Sequence, residues 1–177
     1  IGGNCGFTIA PLSGDSADAQ YLKRMLARVE GMPLESLDAG VPWGSWQSFA
    51  DYLGCLDNTL AVNAGFLVGH SALRRTVMGA RANLGPCSAA DLERMKTLLR
   101  ESLHAGGLGF SSTLSPTHND MDGAPVPSRL ASREELLELA GVCREFPGTV
   151  LEFLPGTKEF DQDVYELMTS MSLAAQR

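Results

Sequence analysis

The order of apolar and polar positions along the chain predicts alternating helices and buried strands. Helical spacing of apolar side chains predicts helices over residues 15–28, 45–56, 88–103, 132–145 and from 161 onward. A nearly continuous apolar run predicts a buried strand at 60–68, and two shorter strands are predicted at 108–112 and 149–154. Strand and helix alternate from residue 60, which is typical of parallel βα units. The pattern therefore predicts an α/β fold, built as either a barrel or a doubly wound sheet.

Local signals mark the ends of these elements. Ser88 followed by Asp91, and Ser132 followed by Glu135, fit capping boxes at two helix starts. Glycines and prolines interrupt residues 30–44, which predicts a loop or a broken helix. Residues 113–129 are polar and contain three prolines, which predicts a long loop of a kind that is often functional.

Composition narrows the class of protein and its partners. The 177 residues are 44% hydrophobic and 20% charged, as in one soluble globular unit. The net charge of -7 and the lack of a dense Lys/Arg cluster argue against a nucleic acid partner. No apolar run reaches the roughly 18 residues that span a bilayer, so no membrane association is expected. The four cysteines lack metal-finger spacing, which predicts reduced thiols and a cytoplasmic location.

Several polar residues are expected at the carboxyl ends of parallel strands, where functional groups collect. Cys5 stands between glycines that allow a tight turn and close approach to a ligand, so it is a metal ligand, a nucleophile or a small buried residue. His70 follows a predicted strand and either hydrogen-bonds a backbone carbonyl or contacts substrate. Arg74 forms an ordinary salt bridge or binds a substrate carboxylate through two hydrogen bonds.

Two further candidates have the same ambiguity. Glu152 lies inside an apolar strand, where a carboxylate must be paired with a cation or contact a metal or substrate. His118, in the string His118-Asn119-Asp120 of the long loop, belongs to a solvated turn or to a metal or substrate site.

Three motifs carry a resemblance to a known family. They are GGNCGFTIAP at residues 2–11, VGHSALRRTVMG at 68–79 and GGLGFSS at 106–112. In this order they resemble the N-acyl-D-amino-acid deacylases (D-aminoacylases) of the amidohydrolase superfamily. The resemblance implies a partial (β/α)8 TIM-like barrel with about four βα units. It also implies that residues 1–177 are a single segment of a catalytic barrel whose first and last strands are missing.

The resemblance further implies a function. Such an enzyme cleaves the amide bond of an N-acyl-D-amino acid, or of a related linear amide, with a water activated by one or two zinc ions. Cys5 would be a zinc ligand, and Glu152, as a carboxylate in an apolar strand, is a second candidate. The histidine that the family usually carries in that strand is absent, which departs from the usual zinc set and favours a non-catalytic relative. The candidate substrate-binding residues are His70, Arg74, Ser111, Ser112 and His118.

Two parts of the family pattern are absent from the chain, namely an H-x-H metal pair and a late catalytic aspartate. Residues 1–177 alone are therefore expected to have little or no activity. One alternative is a non-catalytic amidohydrolase-like binding or assembly module. Another is a hydrolase in which Cys5 is the nucleophile and His70 its base. Apolar surface left uncovered on a half-barrel predicts a partner or self-association.

Overall fold

The computed structural model describes residues 1–177 and has a mixed α/β architecture. The α-helices are α1 (Ser16–Val29), α2 (Leu34–Gly40), α3 (Phe49–Leu56), α4 (His70–Met78), α5 (Ala89–His104), α6 (Arg133–Val142) and α7 (Gln162–Ala175). The strands are β1 (Val68–Gly69), β2 (Gly109–Thr113) and β3 (Val150–Leu154). None of the helices combines the length and the apolar character that crossing a membrane requires.

The three strands form one parallel sheet in the order β1-β2-β3. Gly69, Ser111 and Glu152 stand side by side in this register. An isolated parallel bridge joins Gly2 to Phe66 and brings the start of the chain to the β1 side. The predicted α/β class is confirmed. A partial barrel with four βα units is not confirmed, because the sheet is open and has three strands.

The predicted strand over residues 60–68 is wrong for most of its length. Only Val68 and Gly69 are in a strand, and residues 60–64 are an exposed loop. Four of the nine residues are Ala, Asn or Gly, which have low strand propensity, so the apolar run overstates the tendency to pair. The predicted helix at 45–56 begins later, at Phe49, where Ser48 and Asp51 form the capping box.

The main core lies between the helices and one face of the sheet. Successive side chains of a strand point to opposite faces, so Phe110 and Ser112 face the helices while Ser111 and Thr113 face away. Phe110 is fully buried in a cluster that includes Met95 and Leu99 of α5. A smaller cluster joins α6 to α7. The N-terminal segment packs on the other face of β2 and β3, opposite the helices.

Candidate functional site at the Cys5 turn

The turn Asn4–Gly6 has an unusual backbone. Cys5 has φ 54° and ψ 22°, and it lies between Gly3 at φ 83° and Gly6 at φ 79°. This left-handed region is unfavourable for a residue with a side chain, so neighbouring contacts must hold Cys5 in it. Both glycines are also closely packed. A β-carbon at Gly3 would lie 2.5 Å from the Leu67 carbonyl oxygen, and one at Gly6 would lie 3.1 Å from Ser112 Cα.

Side chains of two strands hold this turn. The Gly6 amide donates a hydrogen bond to Ser111 Oγ at 3.1 Å, and the Ser111 hydroxyl donates to the Gly3 carbonyl. The Cys5 amide donates to Glu152 Oε2 at 2.6 Å. Because Ser111 and Glu152 are paired positions of β2 and β3, the turn lies across both strands.

The Cys5 thiol and the Glu152 carboxylate form the chemical centre of this site. Cys5 Sγ lies 3.9 Å from Glu152 Oε1. Burial, together with the adjacent carboxylate, raises the pKa of the Cys5 thiol to about 11. Burial also raises the pKa of Glu152, although hydrogen bonds from Cys5 partly offset this. Both ionised forms are therefore unfavourable without a nearby positive charge.

No cation pairs with Glu152. Its hydrogen-bond partner is Cys5, and none of the ion pairs of the chain includes it. The structure therefore gives no support to the ion-pair interpretation of this residue. A divalent metal ion would stabilise both deprotonated groups together.

The two residues fit part of a metal site. Thiolate and carboxylate are both zinc ligands, but zinc in proteins takes three or four protein ligands. The chain contains no group of three or more His, Cys, Asp or Glu side chains arranged to hold a metal ion. Cys5 and Glu152 therefore supply at most two ligands.

A second polar cluster lies on the helix side of β2. His70 is fully buried, with Nε2 2.8 Å from Glu135 Oε1 and Nδ1 2.8 Å from Ser112 Oγ. Burial lowers the pKa of His70, so the ring is neutral. Because a carboxylate only accepts hydrogen bonds, we assign the ring hydrogen to Nε2, and the Ser112 hydroxyl donates to Nδ1.

Glu135 is also paired with Arg74. One guanidinium nitrogen of Arg74 lies 2.7 and 2.6 Å from the two carboxylate oxygens, and both side chains are fully buried. Burial acts to raise the pKa of Glu135, but the hydrogen bond from His70 and the charge of Arg74 outweigh it and lower that pKa to about 2. This carboxylate is therefore ionised, and Arg74 compensates its charge.

The structure brings only some of the predicted site residues together. Cys5, Ser111 and Glu152 meet at the turn, whereas the other candidates lie elsewhere. His118 Nδ1 is 3.0 Å from Thr113 Oγ1, and its ring packs edge-on to Phe7 at 4.9 Å.

The remaining candidates lie on the helix side of the sheet. His70, Arg74 and Ser112 belong to the buried Glu135 cluster, and their predicted substrate contacts stay predictions. The alternative in which His70 is the base for a Cys5 nucleophile is not supported by this structure. Both ring nitrogens of His70 are hydrogen-bonded to other residues, Nδ1 to Ser112 and Nε2 to Glu135.

Sequence reasoning missed the role of Glu135. The Glu135 amide does donate to Ser132 Oγ at 3.1 Å, as a helix cap requires, but its carboxylate binds Arg74 and His70 instead of completing the capping box. A signal was present in the sequence, since Glu135 lies four residues before Leu139 on the buried side of its helix.

The structural role of Asp120 was also missed, because its string was interpreted only as a solvated turn or as a metal or substrate site. It is only 5% exposed, and Tyr21 donates a hydrogen bond to it at 3.1 Å. Its other carboxylate oxygen accepts the amides of Asp122 and Ala124, each at 3.0 Å. Asp120 therefore folds this loop and fixes it to α1.

Comparison with known proteins gives three informative similarities. No family model matches the chain. A D-aminoacylase of Alcaligenes xylosoxydans xylosoxydans is 33% identical over 146 residues, which cover 81% of this chain and 24% of that protein. The chain spans about a quarter of the length of the curated relatives it matches.

Solved structures agree with this similarity. A crystal structure of a D-aminoacylase that defines a novel subset of amidohydrolases superposes with a TM-score of 0.60 at 26% identity, covering 98% of this chain and 31% of its own. The N-acyl-D-glutamate deacylase of Bordetella bronchiseptica, complexed with zinc and a phosphonate inhibitor, has the same fold over 97% of this chain and 30% of its own. Its TM-score is 0.60 and its identity 23%.

Proposed function

The resemblance of this chain to the D-aminoacylases of the amidohydrolase superfamily is confirmed, and from this premise we propose that it forms part of a metal-dependent amidohydrolase. The proposed reaction is hydrolysis of the amide bond of an N-acyl-D-amino acid or a related linear amide. Its products are a carboxylate and the free D-amino acid. The 177 residues alone are expected to have little or no activity, since they contain no group of three metal ligands.

The observation that carries this proposal is the Cys5–Glu152 pair. A thiol and a carboxylate lie 3.9 Å apart on the face of the parallel sheet opposite the helices, and neither forms an ion pair with a cation. Zinc accepts both sulfur and oxygen ligands, and it keeps a coordinating thiol deprotonated. When bound, this ion supplies a water whose pKa is lowered towards about 7 and polarises the scissile carbonyl.

The other residues of the chain have supporting roles in this proposal. His118 is the candidate for substrate contact, because its ring packs against Phe7, two residues after Cys5. His70, Arg74 and Ser112 remain candidates for substrate binding, and they lie on the buried, helix side of β2. Further metal ligands and a general base have to come from elsewhere in the enzyme. All four cysteines are free thiols, which supports the proposed cytoplasmic location.

The test measures metal content and hydrolysis together in the full-length protein that contains these residues. N-acetyl-D-amino acids and their L enantiomers serve as substrates, and bound zinc is measured by mass spectrometry. Cys5→Ser and Glu152→Gln should each lose zinc and activity. Cys55→Ser is the matched control, because this half-buried thiol packs against the core and donates its hydrogen bond to the Ser45 carbonyl, at 3.8 Å, with no hydrogen bond to a carboxylate.

Unchanged zinc content and rate in Cys5→Ser would contradict the ligand assignment. Tight binding of N-acyl amino acids by a wild-type protein with neither zinc nor turnover would favour the non-catalytic binding module instead.

A further inference from the structure

We propose that Ser111 is a positioning residue that holds Cys5 in the conformation in which it binds metal, an inference that rests on the proposed ligand role of Cys5. Ser111 is fully buried. Its hydroxyl accepts a hydrogen bond from the Gly6 amide and donates one to the Gly3 carbonyl. One side chain thereby joins the two ends of the turn, and Cys5 projects between them.

The strain in the turn explains why such a clamp is needed. Gly3, Cys5 and Gly6 all have positive φ, and a left-handed cysteine persists only where its surroundings fix it. The Glu152 carboxylate holds the Cys5 amide, but Glu152 is itself a proposed ligand whose charge a metal would share. Ser111 is uncharged and its contacts do not depend on the metal, so it can order the turn before metal arrives.

The hydroxyl of Ser111 is already committed. A serine hydroxyl has one hydrogen to donate, and the Gly3 carbonyl takes it. The side chain is also closed off from solvent. A direct substrate contact by Ser111 would have to break this clamp, which favours positioning over the substrate-binding role expected from the sequence.

The neighbouring serine anchors β2 from its other face. Ser112 donates to His70, which Glu135 and Arg74 hold in the buried cluster. Consecutive hydroxyls on β2 thus fix the strand on the helix side and the Cys5 turn on the opposite side. The motifs at residues 68–79 and 106–112 are thereby connected to the motif at 2–11, and all three help to hold the Cys5 turn in place.

The test compares Ser111→Ala with Ser111→Thr, which keeps the hydroxyl, and with Ser102→Ala. Ser102 is a matched control because it is equally buried and its hydroxyl binds only the Leu98 carbonyl of its own helix. Hydrogen–deuterium exchange of residues 2–8 reports the clamp without any metal. Titration of the full-length protein with Co²⁺ reports ligation, because a cobalt–thiolate bond has a charge-transfer absorption in the near ultraviolet.

We expect Ser111→Ala to speed exchange of the turn amides about tenfold, as loss of two hydrogen bonds implies, and to weaken Co²⁺ binding about tenfold. Ser111→Thr and Ser102→Ala should resemble the wild type. Protection of the α5 amides in every variant shows that the fold is intact. If Ser111→Ala has lost this protection, the test rests on Ser111→Thr alone. Faster exchange of the turn amides in a folded Ser111→Thr protein would then overturn the clamp.

Three results separate the possible failures. Unchanged exchange in a folded Ser111→Ala would overturn the clamp. Faster exchange with unchanged Co²⁺ affinity would overturn the link between the clamp and ligation. Absence of the cobalt–thiolate absorption in the wild type would instead refute the ligand role of Cys5 and hence the proposed function, while the exchange data would still judge the clamp.

Discussion

Replacing Glu135 with glutamine tests whether the buried cluster carries the charge balance described above. The substitution keeps the shape of the side chain and removes its charge, which leaves the guanidinium of Arg74 fully buried and uncompensated. Breaking one partner of a buried ion pair costs about 3 to 5 kcal/mol. The lowered pKa gives a similar figure: a carboxyl whose pKa falls from 4.5 to about 2 contributes about 3 kcal/mol to stability.

The free energy of unfolding, measured by urea denaturation followed by circular dichroism, should therefore fall by about 3 to 5 kcal/mol in Glu135→Gln. The melting temperature should fall by about 6 to 20 °C. Glu138→Gln is the matched control, because Glu138 lies on the same helix but is half exposed and pairs with Lys96 at the surface. An exposed pair contributes about 1 kcal/mol or less.

The dependence on pH gives an independent check. Because the pKa of Glu135 is lower in the folded protein, its contribution is complete above pH 4.5 and is lost as the pH falls towards about 2. Glu135→Gln should lack this part of the acid transition. A loss below about 1 kcal/mol, with an acid profile identical to that of the wild type, would refute the buried-pair account.

Two further predictions concern the sheet and the histidine. Gly109→Ala should lower the free energy of unfolding, measured by urea denaturation, by about 3 kcal/mol, because its β-carbon would lie 1.9 Å from the Val150 carbonyl oxygen. Gly123→Ala, where a β-carbon would meet open space, should lower it by about 1 kcal/mol. Equal losses in the two variants would contradict the steric reason. His70 is buried and neutral, so its contribution is present above pH 6.5 and is lost as the pH falls below it. The free energy of unfolding of the wild type should decline below pH 6.5, and His70→Gln, measured by the same titration, should not show that decline.

Elements set by local chemistry were predictable from the sequence. α5, α6 and α7 begin directly after Ser88, Ser132 and Asp161, and each of these side chains accepts the amide three residues further on. β2 and β3 were found within one residue of their predicted ends, because a glycine pair stops the helix before β2 and Pro147-Gly148 stops the helix before β3.

Features that depend on distant partners were not predictable in the same way. The run at residues 60–68 is as apolar as a buried strand, but the fold offers a partner only to its end. Glu135 fits the sequence pattern of a helix cap, but its carboxylate pairs with Arg74 of another helix, a contact that the local sequence does not show. The contact of Cys5 with Glu152 follows from the register of the sheet, which no local pattern encodes.

The contact between Cys5 and Glu152 joins residues 147 positions apart, so the site can form only late in the synthesis of the chain. At about 5 to 20 residues per second, a ribosome needs about 7 to 30 seconds after Cys5 before it adds Glu152. Until Ser111 is added the glycine-rich turn lacks the side chain that clamps it, and throughout the interval it lacks the carboxylate that holds the Cys5 amide. The site is therefore assembled only when β3 joins the sheet, and a nascent chain that stops before residue 150 carries the opening motif without the centre it serves.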